Sequence, residues 1–293
     1  MLAVGAVVLS PVAVGAGVAN AEDVRGKLCT ISETIPPTVN RIGGADRYEV
    51  AVQASQTSHP DGSNLVFLAS GTGFADALSG SATAGVKDAP VLLVSRDTVP
   101  KVVLDEIVRL APSEIVILGG TASISSALEQ SLQYLPGTVS RFDGADRYEV
   151  AAKVAQWAFT GSDTIYVASG EKFPDALSAG AAAGSWGVPV LLTASDHVPE
   201  ATVNVLRGDD ALETIVVVGG PASISTAVEA QLATIAPVER VDGADRYDVS
   251  AATSAKSFCP SLPTVYVASG EVCSPTRSPA RRPRSPRAAP CSS

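Results

Sequence analysis

The chain has 293 residues and a formal net charge of −9 at pH 7. Five arginines crowd into its last 22 residues with no acid among them, leaving −14 on residues 1–273. So acidic a body excludes general nucleic-acid binding, which needs a basic face to displace condensed counterions. The four cysteines, Cys29, Cys259, Cys273 and Cys291, leave residues 30–258 without any, so no disulfide framework supports the fold.

Residues 1–21, MLAVGAVVLSPVAVGAGVANA, carry no charge and end in Ala19-Asn20-Ala21, a small-x-small cleavage pattern. They read as a signal peptide rather than a membrane anchor, because Pro11 and several glycines interrupt the run. A linker follows over 22–39. Every later apolar run is cut short by Gly, Pro or charge, so the expectation is an exported product with no membrane span after signal cleavage.

An arginine then opens nearly the same eleven residues three times: RIGGADRYEVA at 41, RFDGADRYEVA at 141 and RVDGADRYDVS at 240, spaced by 100 and 99 residues. A second marker keeps step, as FLASGTGFADALSG at 67–80, YVASGEKFPDALSAG at 166–180 and YVASGEV at 266–272. A third, VILGGTASISSALE at 116–129 and VVVGGPASISTAVE at 216–229, occurs twice. A period near 100 residues is too long for a solenoid and long enough for a unit with its own core. The units are two complete repeats, 40–138 and 139–238, and a truncated third, 239–271.

Within the first repeat, Tyr48 to Gln56 has helical spacing and LVFLAS at 65–70 reads as a strand. The small-residue run after Asp76 suits a helix pressed against a sheet. APVLLVS at 89–95 is a strand buried on both faces. An amphipathic helix follows, with Val99, Val102, Val103, Ile107 and Leu110 on one stripe. EIVILGG supplies a third buried strand, and SISSALEQSLQYL a helix capped by Ser123. The second repeat runs in the same order. Alternating strands and helices predict an α/β fold, with each repeat a small three-layer domain around a largely parallel sheet.

After Glu271 this pattern stops. Residues 272–293 set five arginines among five prolines, with no apolar periodicity, and are predicted to be disordered. A reading-frame shift is the simplest account; a basic tail for an anionic polymer is the rival.

Two kinds of residue stand out as ligand contacts. Asp46 and Arg47 recur as Asp146 with Arg147 and Asp245 with Arg246. Each Asp suits a helix N-cap, and each guanidinium suits either a structural carbonyl or a ligand phosphate or carboxylate. The first arginines, Arg41, Arg141 and Arg240, read as anchors of a domain edge. Asp76 and Asp175 lie in the loop after the first strand, where open α/β sheets bind ligands. They read either as helix caps or as partners of sugar hydroxyls. This loop lacks the lysine and glycine spacing of a phosphate or dinucleotide site. Ser70 and Ser169 lack a base, since His59 and His197 occupy non-corresponding places, and no His, Asp or Glu spacing suits a metal. A non-enzyme without a cofactor is expected.

The combination R-x-x-G-A-D-R-Y, ASG-x-x-F-x-D-A-L, P-V-L-L and V-V-x-G-G-x-x-S-I-S closely resembles the cell-wall-binding type 2 repeats of Gram-positive bacteria. The resemblance covers residues 40–135 and 140–238, with a fragment at 239–271. It implies Toprim-like α/β domains in threes, which anchor exported proteins non-covalently to an anionic cell-wall polysaccharide or teichoic-type polymer at the cell surface. On that footing Arg47, Arg147 and Arg246 are assigned to phosphate or carboxylate, and Asp76 and Asp175 to sugar hydroxyls. An accessory role beside a wall hydrolase such as an amidase is the alternative, and a peptidoglycan hydrolase a more distant one. The shortened third repeat would leave an apolar face uncovered and favour self-association.

Overall fold

The computed structural model describes residues 38–258, 262 and 264–271, together with two strand pairs of residues near the N-terminus. The latter are β1 (Ala21–Glu22) and β2 (Leu28–Cys29), which pair antiparallel. The rest of the leader and the tail at 272–293 lie outside the described residues.

The first repeat runs α1 (Arg47–Ser58), β3 (Leu65–Ser70), α2 (Ala75–Lys87), β4 (Val91–Val94), α3 (Lys101–Leu110), β5 (Glu114–Leu118), α4 (Ser126–Leu132) and β6 (Thr138–Phe142). The second repeats it as α5 (Arg147–Ala158), β7 (Thr164–Ser169), α6 (Phe173–Trp186), β8 (Val190–Thr193), α7 (Glu200–Gly208), β9 (Thr214–Val218), α8 (Thr226–Leu232) and β10 (Val238–Val241). A last helix, α9 (Arg246–Ser257), opens the truncated third copy. The sheets have the orders β4-β3-β5-β6 and β8-β7-β9-β10, and every pairing within them is parallel. This is the α/β class expected from the alternation of strand and helix.

The fourth strand of each sheet was not read from the sequence. β6 contains Arg141, opposite Ile117 of β5, and β10 contains Arg240, opposite Val217 of β9. The opening arginine of one motif therefore sits on the edge strand of the preceding sheet. Arg141 bonds Glu129 through Nε and Nη2, at 3.0 and 2.9 Å, and donates from Nη1 to the Gly119 carbonyl at 2.7 Å. Arg240 does the same with Glu229 and the Gly219 carbonyl. Among the described residues Arg41 joins no strand; it is exposed in irregular backbone. Anchoring a domain edge is thus the observed role of Arg141 and Arg240.

Helix starts follow elementary capping chemistry. Asp46, Asp146 and Asp245 have extended backbone, and each accepts the next two backbone N–H groups through its side chain. Ser125, not Ser123, caps α4 by accepting from Leu128. Ser123 lies one turn earlier, where its backbone N–H bonds the Gly120 carbonyl.

The first sheet is covered on one side by helices of its own repeat. Val52, Val103, Ile107, Leu110, Leu128 and Leu132 pack there on Val66, Leu68, Ile115 and Ile117. Its other side is not closed by the first repeat alone. Phe67, Ala69, Val116 and Leu118 cluster with Ala84 of α2 and with Val150 and Val154 of α5, which belongs to the next repeat. Meanwhile Ala152 and Ala155, on the opposite face of α5, pack into the second repeat. One helix thus completes two cores. Trp157 extends the join, 5.2 Å from the Phe142 ring, with Lys87 Nζ 5.1 Å from its own ring.

Helices α2 and α6 meet along small residues. A Cβ added to Gly85 would lie 3.3 Å from the Gly184 Cα, and one on Gly180 would strike the Ser81 hydroxyl. The small-residue runs read as helix-on-sheet surfaces therefore also serve helix-on-helix contact between repeats.

Three equivalent valines record which helices have a preceding repeat. Val150 is 2% exposed and Val249 3%, whereas Val50 on α1 is 39% exposed. The residues of the third copy show the opposite deficit. Tyr266, counterpart of the buried Tyr166, is 70% exposed.

Candidate functional site at the repeat junction

The loops that end the central strands and the Arg motifs converge at the carboxyl ends of the strands. Arg47 donates from Nη1 to the Gly71 carbonyl, Arg147 to that of Gly170 and Arg246 to that of Gly270. Each guanidinium therefore fixes the loop that follows β3, β7 or the corresponding segment of the third copy. The neighbouring tyrosine shares this task. Tyr48 and Tyr148 press on Gly71 and Gly170 so closely that a Cβ at either glycine would overlap the ring.

Arg147 also faces the preceding repeat, with its guanidinium carbon 6.0 Å from the centre of the Phe74 ring. Phe74 in turn lies 5.8 Å from Phe173, its counterpart in the second repeat. Beside Phe74 and Arg147 opens a cleft of about 280 Å³ between the two repeats. Gly73, Asp76, Ala122 and Ser123 of the first repeat form one wall, and Ala145 to Arg147 of the second form the other.

Asp76 and Asp175 do not cap their helices, contrary to one expectation. α2 starts from Phe74 and α6 from Lys172, neither with a side-chain cap, and the aspartates lie inside the first turn. Their carboxylates approach the loop after the third strand. A Cβ on Gly119 or Gly219 would run into Asp76 or Asp175, and these glycines have φ of +101° and +123°. Glycine is required at both places by the close approach and by the left-handed backbone. Burial pushes the Asp76 carboxyl above the usual range, partly offset by a hydrogen bond with the Ser123 side chain and by the charge of Arg147. Asp175 is buried.

The sequence assigned an arginine and an aspartate to each repeat, with Arg246 alone in the third. The structure joins Asp76 of the first repeat to Arg147 of the second across the junction. Among the described residues Arg47 faces no preceding repeat, and it makes the loop contact described above. The pairing across repeats escaped sequence reasoning because it depends on α5 docking on the first sheet. The tyrosine and phenylalanine at fixed offsets were the available signal.

Such a cleft offers a guanidinium held in place, a carboxyl of raised affinity for protons, and the Phe74 ring beside the guanidinium. These groups suit a polyol or sugar bearing an anionic substituent. The loop serines have other partners. Ser70 Oγ lies 2.8 Å from Thr72 Oγ1, and Ser169 Oγ accepts from the backbone N–H of Glu171 and Lys172. His59 bonds Ser58 and His197 bonds Asp196, both away from these serines.

The sequence profile described as cell wall binding domain 2 (CWB2) matches residues 41–129 and 141–229, the two stretches just described. The chain belongs to the cell wall binding domain 2 family. The chain is 31% identical over 233 residues to the N-acetylmuramoyl-L-alanine amidase LytC of Bacillus subtilis (strain 168), covering 80% of this chain and 46% of that protein. It is 33% identical over 212 residues to the amidase enhancer of the same organism, covering 72% and 28%. Among solved structures, Cwp6 from Clostridium difficile superposes with a TM-score of 0.69 at 29% identity, covering 79% of this chain and 39% of that one. Cwp8 from the same organism gives 0.64 at 30% identity, covering 72% and 36%. The chain thus spans less than half the length of each of these relatives. The match takes in Arg47, Asp76, Arg147 and Asp175, whereas Arg246 lies beyond it.

Proposed function

We propose that this chain is an exported, non-catalytic wall-attachment protein that holds an anionic secondary wall polymer in the clefts between its CWB2 repeats. The observation that carries this reading is the junction itself, where Arg147 from one repeat and Asp76 from another border one cleft. The guanidinium would take phosphate or carboxylate of the polymer and the carboxyl its hydroxyls. Arg246 and Asp175 occupy the corresponding positions of the motifs at the second junction. Linked sites of modest affinity gain retention through effective concentration, which suits a repeating polymer. No helix among the described residues is long and apolar enough to cross a membrane.

Arg147→Ala is expected to lower retention on wall sacculi by roughly tenfold, the worth of one charge-assisted hydrogen bond. Co-sedimentation across a salt series measures this. Parental retention from a folded variant would remove Arg147 from the site.

A second reading has its own support in the likeness to an amidase and to an amidase enhancer. Here the repeats would bind a wall hydrolase and modulate it. Pull-down from a wall extract freed of polymer separates the readings, since only the accessory retains a protein partner there.

A further inference from the structure

The two junctions carry the same Arg motif and the same Asp, but differ in the loop that leads into the helix. That loop is Gly71-Thr72-Gly73-Phe74 in the first repeat and Gly170-Glu171-Lys172-Phe173 in the second. Gly73 has open space about it, since a Cβ there would meet nothing within 4 Å. It stands on one lip of the first cleft, with Ala122 among the residues of the same lining. At the second junction the corresponding residues are tied together, because Lys172 Nζ donates to the Ala222 carbonyl at 2.7 Å. In the first repeat the Ala122 carbonyl is satisfied from another direction, by Arg96 Nε at 3.2 Å, from the loop after β4. Position 96 corresponds to Ser195 in the second repeat, which has no such cation to offer.

We propose that Lys172 is a strap along the second repeat's wall of the second junction, so that the first junction, where Gly73 leaves that wall open, is the readier subsite for the anionic polymer and the second admits it fully only when Lys172 leaves Ala222. This rests on the reading of the junction clefts as polymer sites. The strap is a hydrogen bond from a charged donor, and such bonds are strong enough to set a measurable difference in binding at one site. It also explains why a duplicated binding unit would keep a glycine in one copy and a lysine in the other. Lys172 is therefore a specificity-determining residue that acts by occupying the approach to the site.

The test exchanges the two residues in the full chain. Gly73→Lys would strap the first junction and Lys172→Gly would open the second, with Lys172→Ser as a further opening variant. Both positions are exposed and neither has left-handed backbone, so melting temperatures equal to the parent's are expected. The probe is purified wall sacculi that retain their secondary polymers. Gly73→Lys should weaken binding about tenfold and Lys172→Gly strengthen it about tenfold. If either variant binds like the parent while Arg147→Ala binds more weakly, the strap is overturned and the junction reading stands. Weaker binding by Lys172→Gly and Lys172→Ser would make Lys172 a ligand contact and overturn the strap as well. If Arg147→Ala binds like the parent, the junction reading falls and the strap with it.

Discussion

Val150→Asp should uncouple the two repeats, whereas the same substitution at Val50 should leave them intact. The residues occupy one position in successive copies, yet Val150 is 2% exposed and Val50 39%. At Val150 the new carboxylate would enter the apolar cluster formed by Phe67, Val116 and Leu118 of the first sheet. An uncompensated buried charge is among the few single changes that cost about 4 kcal/mol or more. At Val50 the carboxylate faces solvent, and a surface change costs within about 0.5 kcal/mol. Urea unfolding of the full chain measures both. Comparable losses at the two positions would contradict a core shared between consecutive repeats. Since the cleft is built by the same docking, Val150→Asp should also abolish wall retention.

Glu106→Ala should have an effect of similar size, confined to the first repeat. The side chain is buried on α3, and accepts from Arg109 through both oxygens at 2.8 Å, from Ser55 Oγ at 2.6 Å and from Gln56 Nε2 at 3.2 Å. Arg109 also donates to the carbonyls of His59 and Pro60, so this group ties the end of α1 to α3. Burial alone would favour the neutral acid, but the hydrogen bonds from Arg109, Ser55 and Gln56, with the Arg109 charge, outweigh it and hold the carboxyl below its usual range. The carboxylate therefore contributes stability above its unfolded-state pKa, and that contribution is lost as pH falls through the lower folded-state value. Removing one partner of a buried ion pair costs about 3–5 kcal/mol. Urea unfolding at neutral pH is expected to show that loss, and Glu106→Ala should flatten the acid limb of the stability profile. The second repeat has Val205 and Gly208 at the corresponding positions, so it has no such dependence. An unchanged midpoint for Glu106→Ala would mean that the network is energetically neutral.

The periodicity of the chain revealed more of the single repeat than of the array. LVFLAS at 65–70 is an uninterrupted β-rich run and forms β3 over those residues. Asp46 precedes helical spacing and caps α1. Both signals are local, so they survive in one sequence without a partner. By contrast, β6 alternates Thr138, Val139, Ser140, Arg141 and Phe142 at a sheet edge, where no continuous apolar run marks it. The strand is concealed further because its Arg141 opens a motif that is otherwise a helix start. The double duty of α5 is equally hidden. Val150 and Val154 form one stripe and Ala152 and Ala155 another, and only the docked structure shows that the stripes serve different sheets.

The site was legible in its parts and not in its assembly. Arg147 and Asp76 recur at fixed offsets, which singled them out, but they lie in different repeats and meet through the α5 docking. Asp76 resembled a cap because it stands near a helix start; the left-handed Gly119 that lets its carboxyl approach the next loop is 43 positions away. The contrast between Gly73 and Lys172 was visible in the sequence as a difference between copies. Its meaning required the Ala222 carbonyl.

Co-sedimentation of the chain with purified wall sacculi, before and after acid extraction of their secondary polymers, tests the central claim most directly. Polymer attachment predicts salt-sensitive binding to intact sacculi that is lost when the polymer is removed. Equal binding to both preparations would place the ligand in the peptidoglycan and contradict the account, as would no binding to either by a protein that circular dichroism shows to be folded.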